Sequence, residues 1–342
     1  MRRSIGTDAV SNGNGQFMKG KITALCKAGV SLLLFFLLFR KYDFQEFGAT
    51  LRNAQLGFLV AAFMILWIGH YICIFRWRML MRPLMPVFSL VRLFQIYCIG
   101  LFFNLAFPTA VGGDVVKMYY AGKPSRNYAQ SFAATFLDRD AGMLAMMIIA
   151  CIGTFLIPSE IPGIPVRLLI WLSFAAFIGA NIVIFMPALH RLFTRLLHRL
   201  RLSRTAGRVD AISSAFQVMG KHPRILLDSL LISIFNQVMV FAVAWVTAEG
   251  LHLHISFLYF LVFIPVITLI TMIPISLNGL GLREYAFVSL FGGIGVTPAT
   301  GLALSLLTLL MIVLSAVPGG IVYVIFRNRN ELQQMAGMGK DF

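Results

Sequence analysis

Asn104-Leu105-Ala106-Phe107-Pro108-Thr109-Ala110-Val111-Gly112-Gly113-Asp114-Val115-Val116-Lys117 breaks an apolar run of membrane length with a proline, two glycines and two charges. A second break of the same make, Pro274-Ile275-Ser276-Leu277-Asn278-Gly279-Leu280-Gly281-Leu282-Arg283-Glu284, interrupts another apolar run in the other half of the chain. Backbone released from a helix inside hydrocarbon costs several kcal/mol per unsatisfied group. Irregular chain at that depth therefore persists only where protein or a wet cavity supplies partners. The two knots predict a site within the membrane.

The surrounding sequence fits that setting. The 342 residues are 59% hydrophobic and 12% charged, against about 45–50% apolar and about 25% charged in a soluble domain. Runs long enough to span, or nearly span, a bilayer fall at 22–39, 56–75, 141–157, 166–187, 225–247, 255–273, 283–296 and 299–326, two of them short. The stretch 93–107, followed by the first knot and the shorter apolar 115–121, reads as a re-entrant hairpin. The expected fold class is all-α: a polytopic membrane helix bundle of about eight transmembrane helices plus re-entrant segments, with cytoplasmic N and C termini. It divides into a polar tail, 1–21, a transmembrane domain, 22–328, and a C-terminal tail, 329–342. Residues 22–39 read as a retained anchor, since no small-residue cleavage site follows them.

Short loops rich in Lys and Arg stay cytoplasmic, and the charges agree with this order. Arg2, Arg3, Lys19 and Lys21, the loop 188–224 with Arg191, Arg195, Arg199, Arg201, Arg204, Arg208, Lys221 and Arg224, and the terminal Arg327, Arg329 and Lys340 all fall inside. Loops 158–165, 248–254 and 292–298 contain neither Lys nor Arg, while 40–55 is mixed. A full crossing at 93–121 would reverse every later loop. The net charge of +16 is thus accounted for by membrane orientation, and nucleic acid is not an expected partner. Arginines at 191, 195 and 199, with leucines beside them, could also lay a helix on an anionic leaflet.

In the first knot, Pro108 removes a backbone donor and Gly112-Gly113 permits close approach. A helix restarting at Asp114 would aim free amides at an anion; the plainer alternative is a tight turn with Asp114 as its cap. In the second, Ser276 and Asn278 offer hydrogen bonds, Gly279 and Gly281 shape the turn, and Arg283 can fork onto phosphate with Glu284 neutralising it when the site is empty. Snorkelling of Arg283 to the interface is the alternative. Between the knots, Asp138-Arg139-Asp140 invites a metal, but residues two apart on a helix point roughly 200° from each other, so an Arg139 ion pair within the bundle is preferred and no metal is expected. Arg76-Trp77-Arg78, Arg82 and Arg92 read as an interface anchor. The four cysteines show no ligand spacing. Gly122-Lys123-Pro124-Ser125 lacks the spacing of a phosphate-binding loop, and neither Gly-x-Ser-x-Gly nor His-Glu-x-x-His occurs.

Three ordered motifs carry a resemblance: Asn104…Pro108-x3-Gly112-Gly113-Asp114-Val-Val-Lys117, Ser131-x3-Thr135-x2-Asp138-Arg139-x2-Gly142 and Pro274-x-Ser276-x-Asn278-Gly279-x-Gly281-x-Arg283-Glu284. Over roughly residues 20 to 328 the chain resembles the lysylphosphatidylglycerol synthase transmembrane region, a flippase-like membrane family. The resemblance implies a bundle of about eight helices with re-entrant segments, related to moving an aminoacylated lipid between leaflets. It implies no lysyl transfer here, because too little sequence follows residue 328 for the cytosolic aminoacyltransferase domain.

The expected function is therefore an inner (plasma) membrane, multi-pass flippase-like protein whose partner is an anionic phospholipid or lipid-linked headgroup. Its expected contacts are Asn104, Gly112, Gly113, Asp114, Lys117, Asp138, Arg139, Ser276, Asn278, Gly279, Gly281, Arg283 and Glu284, with no catalytic residue and no cofactor. Two alternatives stay open. One is a lipid-modifying enzyme working through Asp138, Asp140 or Asp114; the other is a non-catalytic accessory subunit that scaffolds a separate synthase through 188–224. The orientation is checked by fusing a phosphatase that is active only outside the cytoplasm: fusions after residue 252 should be active and fusions after residue 206 silent.

Overall fold

The computed structural model describes residues 44–107, 111–157, 165–185, 203–273 and 275–338. The tail 1–21, the expected span 22–39, Pro108, Pro274 and the arginines at 191–201 lie outside the described residues. Eleven α-helices are described: α1 (Phe44–Arg52), α2 (Leu56–Met81), α3 (Leu90–Ala106), α4 (Gly112–Gly122), α5 (Tyr128–Leu156), α6 (Val166–Phe185), α7 (Ser203–Gly220), α8 (Pro223–Gly250), α9 (Phe257–Met272), α10 (Leu282–Gly292) and α11 (Pro298–Met338). A single 3₁₀ turn, Leu277–Gly279, lies between α9 and α10, and no strand occurs among the described residues. The protein is a polytopic helical membrane protein. α2, α5, α8 and the Pro298–Ile325 part of α11 are each long and apolar enough to cross a bilayer.

Local chemistry sets several helix ends. The Ser89 hydroxyl accepts the Arg92 amide at 3.3 Å and so caps α3, satisfying one of the donors a helix start leaves open. Pro223 opens α8 at a position where no amide hydrogen is needed.

Where two helical pieces meet a knot, the pieces are short. At 1.5 Å per residue α3 and α4, of 17 and 11 residues, run about 25 and 16 Å. α9 and α10, of 16 and 11 residues, run about 24 and 16 Å. All are shorter than the roughly 30 Å hydrocarbon core. The α3–α4 hairpin packs on the beginning of α5, with Gly122 against Tyr128 and Asp114 reaching up to Arg139. The α9–α10 hairpin packs on the opposite end of α5, where Gly153 lies against Val262 and Leu261. The two hairpins thus enter from opposite ends of the bundle and meet tip to tip.

Lipid tails are as apolar as leucine, so the pieces are held by shape and polar contacts rather than by expulsion from water. Phe260, Phe263, Phe287 and Phe291 interlock between α9 and α10, with ring centroids 5.1–5.6 Å apart. Ile74, Trp77, Leu80, Leu93 and Ile96 form a second core beneath α2 and α3. Glycine permits the closest approaches: a Cβ on Gly113 would strike the Gly100 carbonyl and the Asn104 side chain, and one on Gly319 would strike the Cys98 carbonyl.

Two sequence-based boundaries are corrected. α5 begins at Tyr128, well before the expected 141, so Thr135 to Gly142 lie inside a helix and not at its mouth. α2 likewise runs through Arg76-Trp77-Arg78 to Met81. The reason is the same in both: Asp138 and Arg76 neutralise each other, and charges so paired are carried within a helix at depth.

Gly113→Ala should destabilise the protein by about 1–3 kcal/mol or more through overpacking, while Gly179→Ala on α6, with open space at its Cα, should not. Thermal unfolding of the two variants in one detergent provides the comparison.

Candidate functional site

Pro108 has no amide hydrogen, so the Asn104 carbonyl, four residues back, has no donor within its own helix. The Asn278 side-chain amide fills that role, donating to the Asn104 carbonyl at 2.8 Å. Asn278 reaches it from a left-handed backbone conformation, φ 52° and ψ 30°, followed by Gly279 at φ 77° and Gly281 at φ 85°. Asn104 in turn uses its side-chain oxygen to accept the Gly113 amide at 2.8 Å. One hydrogen-bonded chain therefore joins α4, α3 and the second knot, and the two knots meet in space.

Three groups of buried charge surround this junction. Arg76 of α2 donates its Nε–H to Asp138 of α5 at 2.7 Å and an Nη1–H to the Ser233 hydroxyl of α8 at 2.6 Å. Asp114 of α4 holds two cations, Lys117 at 2.7 Å and Arg139 of α5. Arg283 donates to Glu284 at 2.7 Å through Nη2 and 3.2 Å through Nε. Glu284 is fully buried. Its other oxygen accepts the Gly281 amide at 2.6 Å, and the Ser305 hydroxyl lies 3.4 Å from the first. A single carboxylate thus caps α10 and neutralises the arginine beside it.

Beside the junction lies a cavity of about 920 Å³. Its polar wall includes Arg76, Asp138, Arg139, Asn278, Arg283 and Gln237, and its apolar wall includes Met146, Val243, Ile264, Ile267, Phe287 and Ile312. Both halves of the chain contribute. Gln237 is set by its donation to the Gly142 carbonyl at 2.8 Å. At the rim, Leu105, Phe107, Met272 and Ile312 are exposed.

Of the expected contacts, Asp138, Arg139, Asn278 and Arg283 line the cavity. Asp114 and Glu284 stand behind Arg139 and Arg283 as their carboxylates. Asn104, Gly112, Gly113, Gly279 and Gly281 build the junction. Lys117 is buried away from the cavity, its Nζ 5.2 Å from the Tyr97 ring centre and 5.6 Å from that of Trp77. Ser276 is buried with no hydrogen-bond partner for its hydroxyl among the described residues, away from the cavity wall.

The anion cradle expected at the start of α4 is closed at Gly113, whose amide is taken by Asn104, and α4 begins at Gly112, two residues before the expected restart at Asp114. Asp114 sits in the first turn and spends its charge on Lys117 and Arg139. Asp138 and Asp140 lie two apart inside α5 and cannot chelate one ion together. Arg76 is the residue the sequence reading missed. Taken there as an interface anchor, it is buried on the cavity wall. The available signal was a charge continuing a helix that remains apolar through Leu80 and Met81.

Glu284→Ala should leave Arg283 buried without its carboxylate and uncap α10, a loss of about 3–5 kcal/mol. Glu284→Gln keeps an acceptor for the Gly281 amide and should lose less. Melting of both purified variants tests the assignment, which fails if the two losses are equal.

No curated protein and no solved structure matches the chain significantly. The family model described as the lysylphosphatidylglycerol synthase TM region matches residues 24–320. The chain, with its two broken-helix hairpins and charged junction, belongs to the lysylphosphatidylglycerol synthase transmembrane region family.

Proposed function

We propose that the protein binds an anionic phospholipid, or a lipid-linked anionic headgroup, between the two hairpin tips and carries it from one leaflet of the inner membrane to the other. The observation that supports this most is the cavity, with arginines and an asparagine on one wall, apolar side chains on the other and exposed apolar residues at its rim. Such a chamber suits an amphiphile whose phosphate turns inward while its hydrocarbon stays with the lipid. Membership of a family named for a lipid synthase places the protein beside membrane lipid chemistry.

In this reading Arg139 and Arg283 hold the phosphate and Asn278 orients the headgroup. Asp114 and Glu284 keep the arginines neutralised and extended while the cavity is empty. The hairpins act as re-entrant segments, one from each face, and the glycines let their tips approach. Each of the three buried carboxylates is committed to a cation, an arrangement better suited to holding charge than to acid–base chemistry. That favours a carrier over a lipid-modifying enzyme.

Proteoliposomes containing the purified protein should speed leaflet exchange of a fluorescent anionic phospholipid. Arg139→Ala and Arg283→Ala should each slow it by about tenfold or more, since a charge-assisted hydrogen bond is worth about 1.5–3 kcal/mol. Exchange equal to that of protein-free vesicles would overturn the function, and unchanged exchange in either variant would overturn the role of that arginine.

A further inference from the structure

The three charged groups at the junction are not alike. Arg76 with Asp138, and Arg283 with Glu284, are matched one to one. Asp114, in contrast, is shared between two cations, Lys117 and Arg139. The two occupy different places. Arg139 lines the cavity, with 31% of its side chain exposed, whereas Lys117 has 9% exposed and no place on the cavity wall. Lys117 is enclosed instead by the rings of Tyr97 and Trp77, both buried. Tyr97 comes from α3 and Trp77 from α2, and α4 presents the lysine between them. A side chain at Gly100 would intrude on the Lys117 stem, so that glycine leaves the lysine its space.

We infer that Lys117 is the residue that sets the cavity's preference for an anion, acting through Asp114 without touching the ligand. A buried ammonium 2.7 Å from Asp114 offsets much of that carboxylate's field. Without it, the full negative charge of Asp114 falls on Arg139, and an arriving phosphate meets a neutral pair. With it, the same three groups present two cations against one carboxylate, and the surplus is felt at the member that faces the cavity. In a medium of low dielectric, one unit of charge a few ångströms behind the site is a large term. Lys117 is a positioning and specificity residue in this scheme, and the inference rests on the anionic-lipid reading above.

The scheme predicts charge rescue. Lys117→Met replaces an ammonium enclosed by aromatic rings with an adaptable apolar side chain and leaves Asp114 still paired with Arg139, so the fold should hold. The probes are dihexanoyl phosphatidylglycerol, whose phosphodiester carries one negative charge, and dihexanoyl phosphatidylcholine, its zwitterionic counterpart. Each is titrated calorimetrically into the full-length protein in detergent. The wild type should prefer the anionic lipid. Lys117→Met should weaken the anionic lipid by about tenfold and leave the zwitterionic one unchanged. Asp114→Asn added to Lys117→Met should restore the preference, and Asp114→Asn alone should strengthen it. Water-soluble glycerophosphoglycerol, the same headgroup without acyl chains, should bind more weakly than the lipid while showing the same dependence on Lys117. A wild type with no preference for the anionic lipid would overturn the underlying reading. A selective wild type matched by an equally selective Lys117→Met would overturn the role of Lys117 alone, as would a loss in Lys117→Met that Asp114→Asn does not restore.

Discussion

A helix that ends at a proline must place a carbonyl somewhere, and in this protein the structure is organised around the one at Asn104. Pro108 cannot donate to it, water is scarce at that depth, and an unsatisfied carbonyl in hydrocarbon is expensive. The donor is the side chain of Asn278, at 2.8 Å and from the far half of the chain. To deliver it, the second knot adopts three successive turns of backbone that ordinary residues avoid, at Asn278, Gly279 and Gly281. Glycine takes two of those positions. Asparagine takes the third, being among the residues that tolerate left-handed backbone. The register of two hairpins, and with it the position of the cavity, follows from a missing amide hydrogen.

The same constraint governs the charges. A carboxylate as buried as Glu284 is stable only when its lone pairs are used, and here they are divided among the Gly281 amide, Arg283 and Ser305. The helix start and the arginine therefore depend on one group. Arg76 depends on its surroundings in the same way, being held by Asp138, Ser233 and the nearby Cys73. These contacts draw α2, α5 and α8 together at one level, where apolar packing in lipid would supply no preferred register. The cavity walls are consequently fixed by the residues that also give them their charge.

Much of this was legible in the sequence, and the limits have physical causes. Apolar runs and proline–glycine knots announced a helical membrane protein, and Asn104, Asn278, Arg139, Arg283 and Glu284 stood out because polar groups at such depth need a reason. The pairing of Arg283 with Glu284 followed from adjacency, and that of Arg139 within the bundle from the one-sidedness of a helix. Partners far apart in sequence were not legible. Nothing in Arg76-Trp77-Arg78 announces Asp138, so the same arginine that anchors an interface in one fold lines a cavity in this one. Helix ends drawn at the first charge were also misplaced, because a charge ends a span only when it lacks a partner. Gly100 and Gly113 face each other across α3 and α4, a closeness that single-residue spacing does not encode.

Two half-length hairpins that meet at their tips differ physically from two helices that cross. A crossing helix is continuous and satisfies its own backbone, so a cavity beside it has only side chains to offer. A tip carries backbone and side-chain polar groups into the interior, and each must be matched by the opposite tip. Here the matching is nearly complete: Gly113 to Asn104, Asn104 to Asn278, Gly281 to Glu284. Because these bonds belong to the junction itself, the arginines project from a frame that does not need a ligand to hold its shape. An anion entering the cavity would have to redistribute ion pairs, not build a site, and the energetic contest is between carboxylates already in place and a phosphate of like charge. In such a contest the outcome is decided by the few charges that are not matched one to one, and that makes the two cations on Asp114 more informative than the two closed pairs beside them.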